Sequence, residues 1–369
     1  MKVDKSEWES VLIKDSIKTT KVKDAVQKKD YLLTGKYPII SQEKEFISGY
    51  CNTKDNLNTD LGGIVIFGDH TRTVKYVDFD FCVGADGVKV LRPNNSLSAK
   101  YLYYFIKWSN IPSNGYARHF KFLKEVKIKC PTDKSSQQTI VSELDVVQAM
   151  IDGYKAQIAD LDALAQSIFL DMFGDPVSNP KGWEKTSLNK YASIGTGATP
   201  SRKIASYYKG DIPWVKSTEV HNSYILETQE HITAEAIDNS NCSIYPPNTI
   251  LIAMYGQGKT RGQVGLLKIK AATNQACAAI CCKKSLDPIF GYWHFQMCYE
   301  ANRELGNGTN QKNMNLTIVG NIKFIIPPFS LQQLFASRIK AIEQQKELLR
   351  QQLADAETLM AERMQYYFS

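Results

Sequence analysis

The sequence predicts an α+β chain: two similar β-rich domains with short helices, separated by two long antiparallel helices, in a pseudo-twofold internal repeat. Three observations predict it. Apolar residues recur at alternating spacings of four and three through two long stretches. Short strand and turn motifs recur in the same order ahead of each stretch. A chain of 369 residues is long enough to bury two cores.

The first domain is read as residues 1–131. It opens near Trp8-Glu-Ser, and Gly35-Lys-Tyr-Pro-Ile-Ile-Ser41 reads as a turn feeding a strand. Gly63-Ile-Val-Ile-Phe-Gly-Asp-His-Thr-Arg72 is a strand running into a polar loop that ends in arginine. Val77-Asp-Phe-Asp-Phe-Cys-Val83 alternates like one strand with Asp78 and Asp80 on a solvated face. Tyr101-Leu-Tyr-Tyr-Phe-Ile106 is a short aromatic helix, and Ser113-Asn-Gly-Tyr-Ala-Arg-His-Phe-Lys121 is a polar loop before the last strand.

A spacer helix follows over residues 132–174. Pro131-Thr-Asp-Lys-Ser-Ser-Gln-Gln138 opens it, with proline ahead of a Ser or Thr cap. From about Ser135 to Phe173 a heptad seam runs through Ile140, Leu144, Val147, Ile151, Tyr154, Ile158, Leu161, Ala165 and Ile168. Gly174-Asp-Pro176 ends it, because glycine takes a left-handed cap and proline cannot continue a helix. Such a helix makes a rod of roughly 58 Å, longer than a small domain is wide. Two rods of this kind are expected to pack on each other. Pairing within the chain gives a monomer, and pairing between chains gives a dimer.

The second domain, residues 175–327, repeats the first. Trp183-Glu-Lys matches Trp8-Glu-Ser, and Gly210-Asp-Ile-Pro-Trp-Val-Lys-Ser217 matches the segment at Gly35. Thr249-Ile-Leu-Ile-Ala-Met-Tyr-Gly-Gln-Gly-Lys-Thr-Arg261 matches the strand and loop ending at Arg72. Tyr292-Trp-His-Phe-Gln-Met297 matches the aromatic helix, and Asn307-Gly-Thr-Asn-Gln-Lys-Asn313 the polar loop. Pro327-Pro-Phe-Ser-Leu-Gln-Gln333 then opens a second spacer helix, residues 328–369. Its seam is Phe335, Ile339, Ile342, Leu349, Leu353, Ala356, Met360 and Tyr367, around a polar Lys346, from about Leu331 to Tyr367.

Composition narrows the function. Hydrophobic content of 43% with 22% charge is that of a folded globular chain. A formal charge of +7 suits a polyanionic partner. No apolar run follows the opening charges and no 18 uninterrupted apolar residues occur, so a cytoplasmic protein that avoids membranes is expected. Eight cysteines show no C-x-x-C pair and five histidines no zinc spacing, so no metal site is expected and the thiols read as buried and reduced.

Enzyme motifs fail on their details. Gly256-Gln-Gly-Lys-Thr260 resembles a phosphate loop, but the first glycine of that motif falls at Ala253 and a strand, not a helix, follows. Ile326-Pro-Pro-Phe329 has isoleucine where an amine-methylating site needs a polar side chain. Gly195-Thr-Gly197 lacks a third glycine. No H-E-x-x-H or G-x-S-x-G occurs, and of Asp78, Asp80 and Asp86, close in sequence, two alternate along an apparent strand and read as its solvated face rather than a metal cluster. A non-catalytic chain is expected.

The motifs together resemble the specificity subunit of type I restriction-modification systems, over nearly the whole chain. The resemblance rests on Gly210-Asp-Ile-Pro-Trp-Val, on Tyr245-Pro-Pro-Asn-Thr-Ile-Leu-Ile through Lys259-Thr-Arg-Gly262, on Thr273-Asn-Gln-Ala-Cys-Ala-Ala-Ile280, and on the Gln-Gln openings of both helices. The first domain matches at Gly35-Lys-Tyr-Pro-Ile-Ile and Ile47-Ser-Gly-Tyr50, with Val83-Gly-Ala-Asp-Gly87 in place of the Asn-Gln-Ala segment. The resemblance implies two target-recognition domains separated by the family's conserved helices, together reading a split double-stranded DNA sequence. It implies two modification (methyltransferase) subunits and restriction/translocase subunits as partners. S-adenosylmethionine, ATP and Mg would belong to those partners, with no cofactor in this chain. The competing readings are a two-domain protein-binding adaptor with a coiled-coil spacer, and a self-sufficient DNA enzyme.

DNA-contact candidates follow from loop position and residue type. In the first domain they are Lys36, Tyr37, Ser41, Gln42, Arg72, Tyr116, Arg118, His119 and Lys121. In the second they are Lys216, Ser217, Glu219, Tyr255, Gln257, Lys259, Arg261, Thr309, Gln311 and Asn313. Gly35, Gly210, Gly256 and Gly258 read as turn formers. The helix pair is expected to act as a ruler setting domain centres about one DNA turn, or 34 to 36 Å, apart.

Overall fold

A computed structural model describes residues 5–20, 25–54, 57–59, 62–109, 111–113, 115, 117–256, 258–305 and 313–369. It falls into two compact units, residues 1–156 with 350–369, and residues 157–349. Each long helix contributes one part to each unit.

In the first unit the chain runs β1 (Glu9–Leu12), α1 (Ile13–Ser16), β2 (Ile17–Thr20), β3 (Tyr37–Ile40), β4 (Gly49–Cys51), β5 (Leu57–Asn58), β6 (Ile64–Gly68), β7 (Val74–Val77), β8 (Phe81–Val83), β9 (Val88–Pro93), α2 (Ala99–Trp108), α3 (Phe120–Lys124), β10 (Lys127–Cys130) and α4 (Lys134–Phe173). One antiparallel sheet has the order β2-β9-β6-β7. A second, β4-β3-β8-β5, contains the parallel pair β3 and β8, and β1 forms a ribbon with β10. Strand β6 is buried on both faces, and its alternation sorts its residues between two cores. Val65 and Phe67 join Leu91, α2 and α4, whereas Ile64 and Ile66 join Ile40, Phe81, Val83 and Val90 between the sheets.

The second unit repeats this order as β11 (Lys185–Ser187), β12 (Ala192–Thr196), β13 (Ile212–Val215), β14 (Ser223–Ile225), β15 (Glu230–Ile232), α5 (Ala234–Asp238), β16 (Ile244–Tyr245), β17 (Ile250–Ala253), β18 (Val264–Leu267), β19 (Ala271–Thr273), β20 (Cys277–Cys282), α6 (Pro288–Met297), α7 (Tyr299–Arg303), α8 (Leu316–Asn321), β21 (Lys323–Ile325) and α9 (Phe329–Phe368). Its sheets are β12-β20-β17-β18-β14 and β15-β13-β19-β16, with β13 parallel to β19 as β3 is to β8. Ile250 and Ile252 face the core built with α6, while Leu251 and Ala253 face the core between the sheets. Gly210 precedes β13 because a Cβ there would stand 2.1 Å from the Ile232 carbonyl oxygen of the paired strand.

The heptad seams lie on the buried faces, although Tyr154, Ile158, Leu161 and Ile168 of α4 are half-buried and Phe169, next to Ile168, takes the fully buried place. In the first unit Ile140, Leu144, Val147 and Ile151 of α4 pack with Ala356, Met360, Met364, Tyr367 and Phe368 of α9. The helices are antiparallel there, since Glu143 pairs with Arg363 at 3.2 Å and Lys155 with Glu357 at 3.0 Å. In the second unit Phe169 and Phe173 pack on Phe335, and Asp162 meets Lys346 at 2.6 Å, again antiparallel. Gly174 has φ +75 and donates its N–H to the Leu170 carbonyl, so α4 ends in a left-handed cap. At its start the cap is Asp133, whose carboxylate accepts the Ser136 N–H at 2.7 Å, rather than the expected Ser or Thr. The expected strand over residues 77–83 breaks at exposed Asp78 and Asp80, because β7 and β8 belong to different sheets.

One arrangement recurs at the root of each long helix. Gln137 is fully buried; its Oε1 accepts the Ser98 N–H at 2.8 Å, and its Nε2 donates to the Ser96 and Pro131 carbonyls at 2.8 and 2.9 Å. Gln332 accepts the Asp287 N–H at 2.9 Å and donates to the Pro327 carbonyl at 2.9 Å and the Ser285 carbonyl at 3.5 Å. Each amide thereby joins the long helix, the last strand and the start of the aromatic helix. Gln137→Leu fills the same space but removes the partner of three backbone groups, the bond to the Pro131 carbonyl being the buried one. It should cost about 2–4 kcal/mol, read as a lower urea midpoint.

His294 on α6 is fully buried, stacked on Phe324 with ring centroids 3.5 Å apart. Its Nε2 accepts the Ile325 N–H at 3.3 Å, which requires a neutral ring. Burial pushes its pKa down from an ordinary 6.5 to about 3. Between these values the unfolded chain holds a proton that the folded chain lacks, so stability falls as pH drops from 6.5 towards 3. In urea titrations His294→Gln, which keeps an acceptor, should remove up to about 1.4 kcal/mol per pH unit of that loss. Equal acid sensitivity of the two chains would refute the assignment.

Candidate nucleic-acid interface

In each unit three loops converge where the parallel strand pair ends. In the first unit they are residues 41–48 after β3, 69–73 between β6 and β7, and 84–87 after β8. Gln42 joins all three: its Nε2 donates to the Asp86 carbonyl at 2.7 Å, its Oε1 accepts the His70 N–H at 3.1 Å, and its own carbonyl accepts the Thr71 hydroxyl at 2.7 Å. Buried Asp69 extends the cluster. Its carbonyl accepts the His119 N–H at 2.7 Å, its carboxylate accepts the Phe120 N–H at 2.8 Å, and Lys89 lies 3.6 Å from that carboxylate.

The first-unit candidates divide by exposure. Lys36, Arg118 and Lys121 extend towards solvent, with the Lys36 ammonium 5.5 Å from the ring centre of half-buried Tyr37. Ser41 is buried, its hydroxyl 2.6 Å from that of Ser48 and accepting the Glu43 N–H at 3.1 Å. His119 is buried with Nδ1 3.1 Å from the Asp69 carbonyl. Arg72, at φ +61, donates to the Ile111 carbonyl at 2.7 Å and ties the β6–β7 turn to the segment after α2. Tyr116 lies outside the described residues.

In the second unit the loops are residues 216–222, 254–263 and 274–276. Glu219 organises the first, accepting the N–H groups of Lys216 and Gln229 at 2.8 Å each. Lys216 is half-buried and pairs with Glu230 at 2.8 Å, beside half-buried Ser217. The hydrogen bonds and charges of Arg202 and Lys216 hold the Glu230 carboxyl below its ordinary range. Asn274 donates its N–H to the Val215 carbonyl, the bond that Gly84 makes to Ile40 in the first unit, so the two sequence segments expected to correspond do so in space.

The 254–263 loop is tied to α7. Arg261 donates to the Arg303 carbonyl at 3.0 Å, as Arg72 does to Ile111; Arg303 donates to the Gly258 carbonyl at 2.7 Å, and the Tyr299 hydroxyl to that of Lys259 at 2.5 Å. Tyr255 and Lys259 are exposed on this loop. Asn313 is half-buried beside Met314, whose N–H bonds the Met254 carbonyl. Gln257, Thr309 and Gln311 lie outside the described residues.

Two polar side chains outside the expected set also lie at these loops: Arg202, half-exposed and stacked 4.0 Å above Tyr208, and His221, exposed with Nδ1 3.4 Å from Gln263 Oε1. The signal for Arg202 was a basic Arg-Lys pair shortly ahead of Tyr207-Tyr208. Among the described residues no group of three or more His, Cys, Asp or Glu is placed to hold a metal, and no helix is long and apolar enough to cross a membrane.

The family model for the type I restriction modification DNA specificity domain matches residues 5–162 and again residues 180–358. This chain belongs to that family. It is 26% identical over 275 residues to the type I restriction enzyme EcoR124I/EcoR124II specificity subunit of Escherichia coli, covering 69% of this chain and 66% of that subunit. It is 30% identical over 120 residues to the type I restriction enzyme MjaIX specificity subunit of Methanocaldococcus jannaschii, covering 32% of this chain and 27% of that one. The alignments thus span less than two thirds of these relatives. In fold it is similar to the crystal structure of the type I restriction-modification S subunit from M. genitalium, at TM-score 0.64 and 16% identity over 100% of this chain and 98% of that one. A chain solved in a study of complex assembly and conformational transition of the type I R-M system matches at TM-score 0.54 and 13% identity, over 98% and 97% of the two chains.

Because Glu219 anchors two backbone donors ten residues or more apart in sequence, Glu219→Ala should speed amide exchange across residues 216–229, by roughly 10-fold for about 1.4 kcal/mol lost. Exchange mass spectrometry should show β17 and β20 unchanged.

Proposed function

We propose that this chain is a DNA specificity subunit, reading a bipartite double-stranded target with one unit per half and directing modification (methyltransferase) and restriction/translocase subunits. The observation that carries the reading is the duplicated specificity-domain match, each copy bearing the same loop cluster at the end of a parallel strand pair. Residues 1–131 and 175–327 are the target-recognition domains in this reading, and helices 132–174 and 328–369 the spacer whose length sets the unread gap.

Arg118 and Lys121 in the first unit and Lys259 in the second supply phosphate contacts, with Lys36, Tyr37, Tyr255 and the outer edges of Gln42 and Ser217 nearer the bases. Ser41, Glu219, Arg72, His119 and Arg261 act one step back by fixing the loops. The exposed sides of the long helices, where Val146 and Met150 of α4 and Leu348 of α9 stand in solvent, receive the modification subunits. S-adenosylmethionine, ATP and Mg belong to the partners, and this chain has no catalytic role.

Two measurements test this. DNA affinity of the purified chain should fall steeply with salt, and Arg118→Ala with Lys121→Ala should reduce the log–log slope by about 0.9 for each phosphate that is no longer neutralised. Deleting the gene from its host should abolish adenine methylation at one bipartite motif of fixed gap. Salt-independent binding to proteins would favour the adaptor, and methyl transfer by the chain alone would overturn the division of labour.

A further inference from the structure

The two units hold their equivalent loops by different means. After β13 the second unit lays strand β14 parallel on β18, with Ser223 opposite Gly265 and Ile225 opposite Leu267. Gly265 makes room for this, because a Cβ there would stand 2.6 Å from the Ile225 Cδ1. In the first unit the strand in the place of β18 is β7, and among the described residues its sheet ends there. At the position matching Gly265, second in its strand, stands Lys75.

Lys75 is 4% exposed, and its ammonium points into the loop after β3. It donates to the Ser41 carbonyl at 2.9 Å, to the Phe46 carbonyl at 3.3 Å and to the Glu45 carbonyl. An ammonium has three donors and no acceptor, so three carbonyls satisfy it completely. The bonds are to main chain, while Glu43 and Glu45 act through space. Burial draws the Lys75 pKa below the ordinary lysine range, and those two carboxylates oppose the shift. Without the cation three carbonyl dipoles converge with no donor between them, and loop 41–48 loses its centre.

We propose that Lys75 is a positioning residue for recognition: an internal cation that shapes loop 41–48 and thereby sets specificity for the half-target read by the first unit. This rests on the specificity reading above. The loop begins with Ser41 and Gln42, the residue that binds the 69–73 and 84–87 loops to it, so a shift in 41–46 is transmitted to all three. In the second unit the matching position is Gly265, and the loop is held instead by the β14 ladder and by Glu219.

The test compares the full chain with Lys75→Met, which keeps the buried stem and removes the donors. Amide exchange over residues 41–48 should rise at least roughly 10-fold with β6 and β9 unchanged. In competition binding, discrimination against base changes in one half-target should fall about 10-fold and that in the other half should stay. Lys75→Gln, which retains two donors, should fall between; it also serves if Lys75→Met does not fold. Unchanged exchange in loop 41–48 overturns the latch, whether or not the chain binds DNA. Faster exchange with equal loss in both half-targets, or with none, overturns its role in specificity. Failure of the unmodified chain to bind DNA overturns the specificity reading, and the exchange result still decides the latch.

Discussion

A primary amide offers two donors and an acceptor of two bonds in one rigid plane, and at Gln137 and Gln332 that plane is filled by backbone from two segments outside the long helix that carries it. The two are the end of the last strand and the turn before the aromatic helix, and the side chain joins both to the long helix as a third. A buried amide costs free energy unless its bonds are made, so the three segments are held in one mutual geometry or none. From that geometry follows the direction in which each long helix leaves its sheet, and hence which of its faces is buried. The seam from Ile140 to Ile151 and the seam from Phe335 to Ile342 are buried because Gln137 and Gln332 fix the helical phase three residues earlier.

Legibility in the sequence follows the range of the interaction. The long helices were readable because a heptad period sustained through 40 residues suits a long helix and no run of strands, and their observed bounds differ from the expected ones by two residues or fewer. The repeat was readable because order is a property of the chain. Direction of polar side chains was not. Gln137 and Gln138 are neighbours in a motif, yet the first is fully buried and the second exposed, a difference set only by helical phase. Ser41 and Glu219 sit in the expected loops but turn inward to bind backbone, because a loop's main-chain groups need partners that its neighbours in sequence do not supply. Nothing in the sequence around Lys75 marks it as buried, and only the three-dimensional convergence of the Ser41, Glu45 and Phe46 carbonyls accounts for its burial. Met364 and Phe368 extend the second seam beyond its expected members because they meet the α2 aromatics, which lie far away in sequence.

The scaffold and the loops obey different rules in this chain. The parallel strand pair, the arginine tie from Arg72 to Ile111 or Arg261 to Arg303, and the glutamine clamp occur in both units with similar partners. Loop anchors do not: a ladder at β14 in one unit stands where an ammonium stands in the other. A repeat that kept both alike would present the same surface twice. Divergence at the loop anchors leaves each sheet packed against its own stretch of the long helices while the loops after β3 and β13 differ.

That separation has an energetic counterpart. The first unit builds its core from Val65, Phe67, Leu91 and the α2 aromatics, and the second from Ile250, Ile252, Phe290 and the α8 residues. Substitutions with no shared partners contribute additively to stability. A loop change in one unit therefore draws on that unit's own packing. Only the glutamine clamp and the helical seam are common to every such change, and these lie on the side of each sheet built from the long helices, not among the loops after β3 and β13.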